Sequence, residues 1–309
     1  MRSKPKPQKD ESFFGLKRSS APRELVVLGV PWDITSSYRR GAAAGPDTIR
    51  CATSAKLYNR FTEQGADLAT IWKVCDHGNV EVTSSISKLR KGLAYTTSLH
   101  DHPRPWTLFL GGDHFVTYPC FCEIAEKQKQ RLSLLYFDAH PDLYKTYEGT
   151  QHSHATVVSR ILERRDASSG TVSYVGIRAS TREQNERIGA LGLAAHTAHD
   201  VYTKGTDSVA SSIRSQLSDG AVYVSIDLDC LDPAFAPGVG NPQPAGLTVR
   251  QMLEILQGIH GLNVVAADIV EYAPRFDSDA RTTAFTSAIL LKELMGLMAK
   301  SAWSANLKL

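Results

Sequence analysis

What the chain lacks narrows its role first. No apolar stretch approaches the roughly 20 residues that a membrane-spanning helix requires. No dense Lys/Arg stripe with interleaved aromatics occurs, and the net charge is only +3, so neither a membrane nor a nucleic-acid partner is expected. Cysteine is sparse: Cys51, Cys75, Cys120, Cys122 and Cys230 make an odd five with no C-x-x-C spacing. The first twenty residues, MRSKPKPQKDESFFGLKRSS, are basic and contain no apolar core of a secretory signal. Both features argue against a disulfide-stapled secreted scaffold and for a reducing, cytoplasmic setting.

What is present reads as an α/β enzyme. At 309 residues, 42% hydrophobic and 22% charged, the chain is long enough for a large core and ordinary for a globular protein. Strand-like apolar runs occur at 24–30, 106–112, 132–137, 171–177, 222–228 and 263–270. Amphipathic, helix-like stretches separate them, at about 84–100, 116–129, 155–165, 207–218, 248–259 and 281–300. Near-continuous apolar strands alternating with helices predict a parallel sheet covered on both faces. No composition break divides the chain after residue 20, so a polar tail (1–20) and one catalytic domain (21–309) are expected.

The chemistry sits at the ends of four of these runs. Gly111-Gly112-Asp113-His114 closes the second, Asp138-Ala-His140-Pro-Asp142 the third, Asp227-Leu-Asp229 the fifth, and Glu271 the last. In parallel sheets, ligands bind beyond the carboxyl ends of the strands. Spacing of i, i+2 and i+4 on extended chain would put the polar side chains of each motif on one face. Carboxylates buried side by side are prohibitive unless cations neutralise them. A carboxylate-rich, histidine-poor set therefore points to hard divalent metal, more than one ion. Cys230, inside the acidic motif, reads as a small packing residue, since hard metals prefer oxygen.

These segments, with Ser36-Ser-Tyr-Arg-Arg-Gly41, Gly45-Pro-Asp-Thr-Ile-Arg50, the Ser225-to-Gly238 stretch and Gly246-Leu-Thr248, resemble the ureohydrolase (arginase/agmatinase) family, in order, from about residue 24 to 300. The resemblance implies a three-layer α/β/α fold, a two-manganese centre that hydrolyses guanidinium to urea and an amine, and a homo-oligomer, a trimer or hexamer. It assigns His114, Asp138, Asp142 and Asp227 to one ion and His140, Asp138, Asp227 and Asp229 to the other. Nickel or cobalt are alternative occupants. It gives Glu271 the role of holding the guanidinium, Asp142 that of orienting the attacking water and passing its proton to the leaving amine, and His154 that of a proton shuttle, with His152 as a rival. Asp113 and Asp232 would brace the ligands.

The substrate expectation is agmatine, cleaved to putrescine and urea. The stretch Leu143–Gln151 lacks the Asn/Ser-rich pattern with which arginases hold the amino-acid end of arginine. Pro141, Ala155, Tyr272 and Arg275 depart from the family's usual residues. If Arg39, Arg40, Lys145 or Arg275 faced the pocket, a guanidino acid such as 4-guanidinobutyrate or 3-guanidinopropionate would be the alternative substrate. A single-metal deacetylase or a non-catalytic scaffold is the reading from a different class, disfavoured because all six ligands and Glu271 are present.

Overall fold

The computed structural model describes residues 12–82, 85–99, 106–128, 131–164 and 169–304. Residues 1–11 of the expected tail, and positions 84, 100, 129 and 165 at the ends of expected helices, lie outside them.

Among the described residues, eight strands form one sheet: β1 (Arg23–Val30), β2 (Trp72–Asn79), β3 (Trp106–Gly111), β4 (Leu132–Phe137), β5 (Val172–Ile177), β6 (Ala194–Thr197), β7 (Ala221–Asp227) and β8 (Asn263–Val270). Their order is β2-β1-β3-β8-β7-β4-β5-β6, and every pairing is parallel. The four strands that carry the acidic and histidine motifs are thus consecutive at the centre, which brings their carboxyl ends together.

Side-chain alternation splits the core into two layers, as the period of two along a strand requires. On β4, Leu135 and Phe137 face one layer while Leu134 and Tyr136 face the other; on β7, Val222, Val224 and Ile226 oppose Ala221 and Tyr223. The first layer is closed by residues of α1 (Gly45–Ala52), α6 (Ala198–Lys204), α7 (Thr206–Leu217), α8 (Val249–Gly258) and α9 (Thr282–Ser304). The second is closed by α2 (Ile86–Thr97), α3 (Thr117–Lys127) and α4 (Val157–Leu162), with Ile188 of α5 (Arg182–Leu191) packed against it. This is the expected three-layer α/β/α architecture. Among the described residues, no helix is long and apolar enough to cross a membrane.

Two differences from the sequence expectation stand out. Phe13, Phe14 and Leu16, assigned to the tail, are buried in the first layer on a short 3-10 turn, Phe13–Arg18; three large apolar side chains outweigh the polar residues around them. The motifs, moreover, are mostly not on extended chain. β4 ends at Phe137, so Asp138 to Asp142 lie in the following turn, and Asp229 sits on the 3-10 turn Leu228–Cys230. Of the acids in the two motifs, only Asp227 belongs to a strand.

Candidate metal centre

The turns aim their carboxylates by a repeated device: one oxygen is tied to a main-chain N–H and the other is left facing inward. His140 N–H donates to Asp138 Oδ1 (2.6 Å), Asp229 N–H to Asp227 Oδ1 (2.8 Å), and Ala139 N–H to Asp229 Oδ1 (3.1 Å). The remaining oxygens, with Asp138 Oδ1, converge on two imidazoles. His114 Nδ1 lies 2.9 Å from Asp138 Oδ2, 3.0 Å from Asp227 Oδ2 and 3.4 Å from Asp142 Oδ2. His140 Nδ1 lies 3.1 Å from Asp229 Oδ2 and 3.4 Å from Asp138 Oδ1. The result is two overlapping groups able to hold a metal ion, His114–Asp138–Asp227 and Asp138–His140–Asp229, which share Asp138.

Asp142 joins the first group from the side, its Oδ2 accepting from the Tyr136 hydroxyl at 2.7 Å. Its backbone is left-handed, φ +45°, and so is that of Glu271, φ +64°. Two non-glycine residues held in that region at one site are strain that the surrounding structure must sustain. Pro141 fits here: it needs no amide hydrogen, and its carbonyl accepts from Tyr174 at 2.8 Å.

Glu271 is buried against the same cluster, where its Oε1 accepts the His114 N–H at 2.8 Å and its own N–H donates to Gly112 O at 2.8 Å. Position 112 tolerates no side chain, because a Cβ would come within 1.8 Å of Trp32 O. Burial pushes the Glu271 carboxyl well above the carboxylate range, and Asp227 and Asp113 add to it. Burial does the same to Asp142, with Asp138 adding, and to Asp227, with Asp229 and Asp138 adding. Asp138 Oδ2 is buried with no hydrogen-bond partner. A fully buried oxygen without a donor, inside a cluster this short of positive charge, fits hard divalent cations.

The two histidines expected as rival proton shuttles lie in different surroundings. His154 is 8% exposed and sits on a capping-box turn, with its N–H on Thr35 Oγ1 (3.0 Å) and its Nε2 at 3.3 Å from Ser37 Oγ. Thr35 is held in turn by Asp113 Oδ2, which accepts from both its N–H and its hydroxyl at 2.8 Å. Burial pushes His154 down to about 4. His152 instead packs its ring on Phe115 and Tyr118 beside a surface groove lined by Ile86 and Arg90. Asp113 therefore braces the loop over the site, whereas Asp232 caps a turn through the Ala234 and Gly246 N–H groups. Cys230 is a buried thiol whose pKa burial raises.

The expected cationic residues at the rim are largely engaged. Arg39 donates to Val239 O (2.9 Å) and Gly240 O (3.2 Å) and stacks on Phe276, with 4.5 Å to the ring centroid; Arg275 lies over the same ring at 4.7 Å. Arg40 donates to Ile34 O at 3.2 Å and is exposed.

The motif reading did not single out the polar layer beneath the cluster. Asp268, fully buried in β8, accepts from Ser225 (2.6 Å), Tyr223 (2.7 Å) and Thr117 (2.8 Å). A carboxylate inside the apolar run NVVAADIV was the available signal.

Fold and site together define a three-layer α/β protein with a carboxylate-rich candidate metal centre at the carboxyl edge of its sheet. The arginase family model matches residues 23–296. Arginase 1, mitochondrial, of Oryza sativa subsp. indica is 34% identical over 310 residues, covering 97% of this chain and 87% of that protein. An agmatinase of Chromobacterium violaceum is 32% identical over 281 residues, covering 89% and 84%. Among solved structures, one described as a hypothetical agmatinase from Burkholderia thailandensis superposes with a TM-score of 0.83 at 29% identity, covering 95% of this chain and 91% of that one. The chain belongs to the arginase family, and it is an amidinohydrolase of the arginase/agmatinase type.

Proposed function

We propose that this protein hydrolyses the guanidinium group of agmatine to urea and putrescine with two manganese ions. The observation that carries the reading is the pair of overlapping ligand groups sharing Asp138, with Glu271 hydrogen-bonded to the backbone of His114. In this reading His114, Asp138, Asp142 and Asp227 hold one ion, and His140, Asp138, Asp227 and Asp229 the other. Divalent cations held there would supply Lewis acidity that lowers the pKa of bound water toward neutrality.

The chain's own residues supply the rest. Glu271 accepts the guanidinium in a charge-assisted pair; the arriving cation favours its ionised form against the burial that disfavours it. Water adds to the guanidinium carbon as Asp142 takes one of its protons, and the C–N bond to the amine breaks as Asp142 returns that proton to the leaving nitrogen. The water's second proton, left on the oxygen of the protonated urea, is then lost to give neutral urea, and His154, neutral near pH 7, carries it to solvent or to the released amine. Five unpaired thiols suit a reducing compartment, the cytoplasm first, and we expect a homo-oligomer.

Agmatine is favoured by the Leu143–Gln151 stretch, which lacks an Asn/Ser-rich pattern, and by the engagement of Arg39 with carbonyls rather than with the pocket. Arginine is the second reading, because the chain is as similar to plant arginases as to agmatinases, 34% against 32% identity. The test is urea release by the manganese-loaded protein from agmatine, arginine, 4-guanidinobutyrate and 3-guanidinopropionate. Agmatine is expected to give urea and putrescine. Urea from arginine alone would establish the second reading, and urea from none would sink the hydrolase claim.

A further inference from the structure

Arg178 follows β5 and has an unusual set of partners. Its guanidinium donates to six main-chain carbonyls: Nη2 to Gln243 O (2.6 Å), Asp229 O (2.8 Å) and Leu231 O (3.2 Å), Nη1 to Cys230 O (3.1 Å) and Gly176 O (3.2 Å), and Nε to Pro244 O (3.0 Å). Its main-chain N–H donates to Ala139 O at 2.9 Å. At Gly246 a Cβ would come within 2.5 Å of Asp232 N and 2.6 Å of Nη2, so the loop after residue 243 packs closely on this side chain and on the Leu231–Asp232 backbone.

Five of these seven contacts bear on one half of the metal centre. Ala139 lies between Asp138 and His140. Asp229, Cys230 and Leu231 form the turn that aims the Asp229 carboxylate. The side-chain amide of Gln243 lies 3.4 Å from His140 Nε2. One cation thus gathers the three segments around the Asp138–His140–Asp229 group. The other group is held differently, through Ser225 on His114 Nε2 (2.9 Å) and Tyr136 on Asp142 (2.7 Å), and Arg178 touches neither.

We propose that Arg178 is a positioning residue for the second cation site alone, fixing Asp229 and His140 through backbone carbonyls. The physical reason is the shape of the group: a planar fork of five donors meets carbonyls arriving from several directions, which an ammonium with three rotating donors cannot reproduce. A cation at the end of the Leu228–Cys230 turn also offsets the carbonyl dipoles pointing out of it. This assignment rests on the two-cation reading.

The test measures manganese binding, not turnover, on the full-length chain stripped of metal and reloaded. Free Mn2+ is followed by electron paramagnetic resonance and bound metal by elemental analysis, for the wild type, Arg178→Lys and Arg178→Met. The wild type is expected to bind two ions. Both variants are expected to keep the first at wild-type affinity and to lose about 10- to 100-fold in affinity for the second, the range for residues that support metal ligands, with Arg178→Lys the milder. Equal weakening of both ions together with a lower melting temperature of the metal-free protein would make Arg178 a general structural residue and overturn the proposal. So would wild-type binding of both ions by either variant, and Arg178→Lys decides the matter if Arg178→Met does not fold. Fewer than two ions in the wild type would instead overturn the two-cation reading, a distinct result.

Discussion

Asp268 reaches the imidazole of His114 through a single hydroxyl. Ser225 Oγ donates to Asp268 Oδ1 at 2.6 Å and lies 2.9 Å from His114 Nε2. A hydroxyl has one hydrogen, and here the carboxylate takes it, so Ser225 turns a lone pair to His114 and Nε2 carries the proton. The Nδ1 lone pair is thereby left facing Asp138 and Asp227, the tautomer a metal ligand needs. Ser225→Ala should therefore reduce metal affinity about 10- to 100-fold while destabilising the metal-free fold by about 1–3 kcal/mol, because Asp268 and His114 each lose a buried partner. Metal titration and chemical denaturation check the two effects. Unchanged metal affinity would show that the tautomer is set elsewhere.

Sharing of Asp138 makes the two ions unequal in their dependence on single acids. Asp229 belongs to one candidate group and Asp138 to both. Asp229→Ala is expected to leave one ion bound and nearly abolish urea release, whereas Asp138→Asn should leave neither ion firmly held. Elemental analysis after gel filtration measures this. Full activity in the Asp229 variant would contradict a two-metal site.

The parts of this arrangement that were legible in the sequence are those whose causes are local. Six strands announced themselves as apolar runs because both faces of a central parallel strand are buried. β2 and β6 did not, since each lies at an edge of the sheet: Lys73, His77 and the four residues Ala194–Thr197 lack that uniform burial. Helix α5 carried a readable signal in the capping box Thr181-Arg-Glu-Gln184, which a polar helix without a strong apolar stripe obscured. The acids and histidines of the candidate centre cluster in sequence because each turn delivers several at once. Arg178 was invisible for the opposite reason: its partners are carbonyl oxygens, which every residue has and no residue type marks. Asp268 depends likewise on three hydroxyls brought together only by the packing of β7, β8 and α3.

His154 provides a pH test. Burial holds its pKa at about 4 in the folded chain, below the 6.5 of an unperturbed imidazole. Between those values the unfolded chain binds a proton that the folded one does not, so folding stability rises with pH across the window. Its favourable share is complete above 6.5 and is lost as pH falls toward 4. Compared with wild type, His154→Asn should flatten the stability profile of the metal-free protein between pH 6.5 and 4, and it should slow turnover. His152→Asn, altering a less buried ring on the outer groove whose pKa burial also lowers, should flatten the profile less and leave turnover unchanged. Identical profiles for wild type and His154→Asn would contradict the depressed pKa.

Glu271 joins function to strain. Its carboxylate is buried, its backbone is left-handed, and its proton affinity is raised by burial and by Asp227. An uncompensated charge there destabilises the empty fold, while a guanidinium compensates it. Glu271→Gln keeps the shape and an oxygen to accept the His114 N–H, yet removes the charge. The variant is expected to melt at a higher temperature than wild type when both are metal-free. Its kcat/KM for the guanidino substrate should fall by about 10- to 200-fold, corresponding to the roughly 1.5–3 kcal/mol lost with one charge-assisted pair. Bound metal should be retained, since Glu271 belongs to neither ligand group. Thermal melts, metal analysis and steady-state urea release together separate these effects. A variant that lost its metal would place Glu271 among the ligands, and one that kept its kcat/KM would remove it from substrate binding.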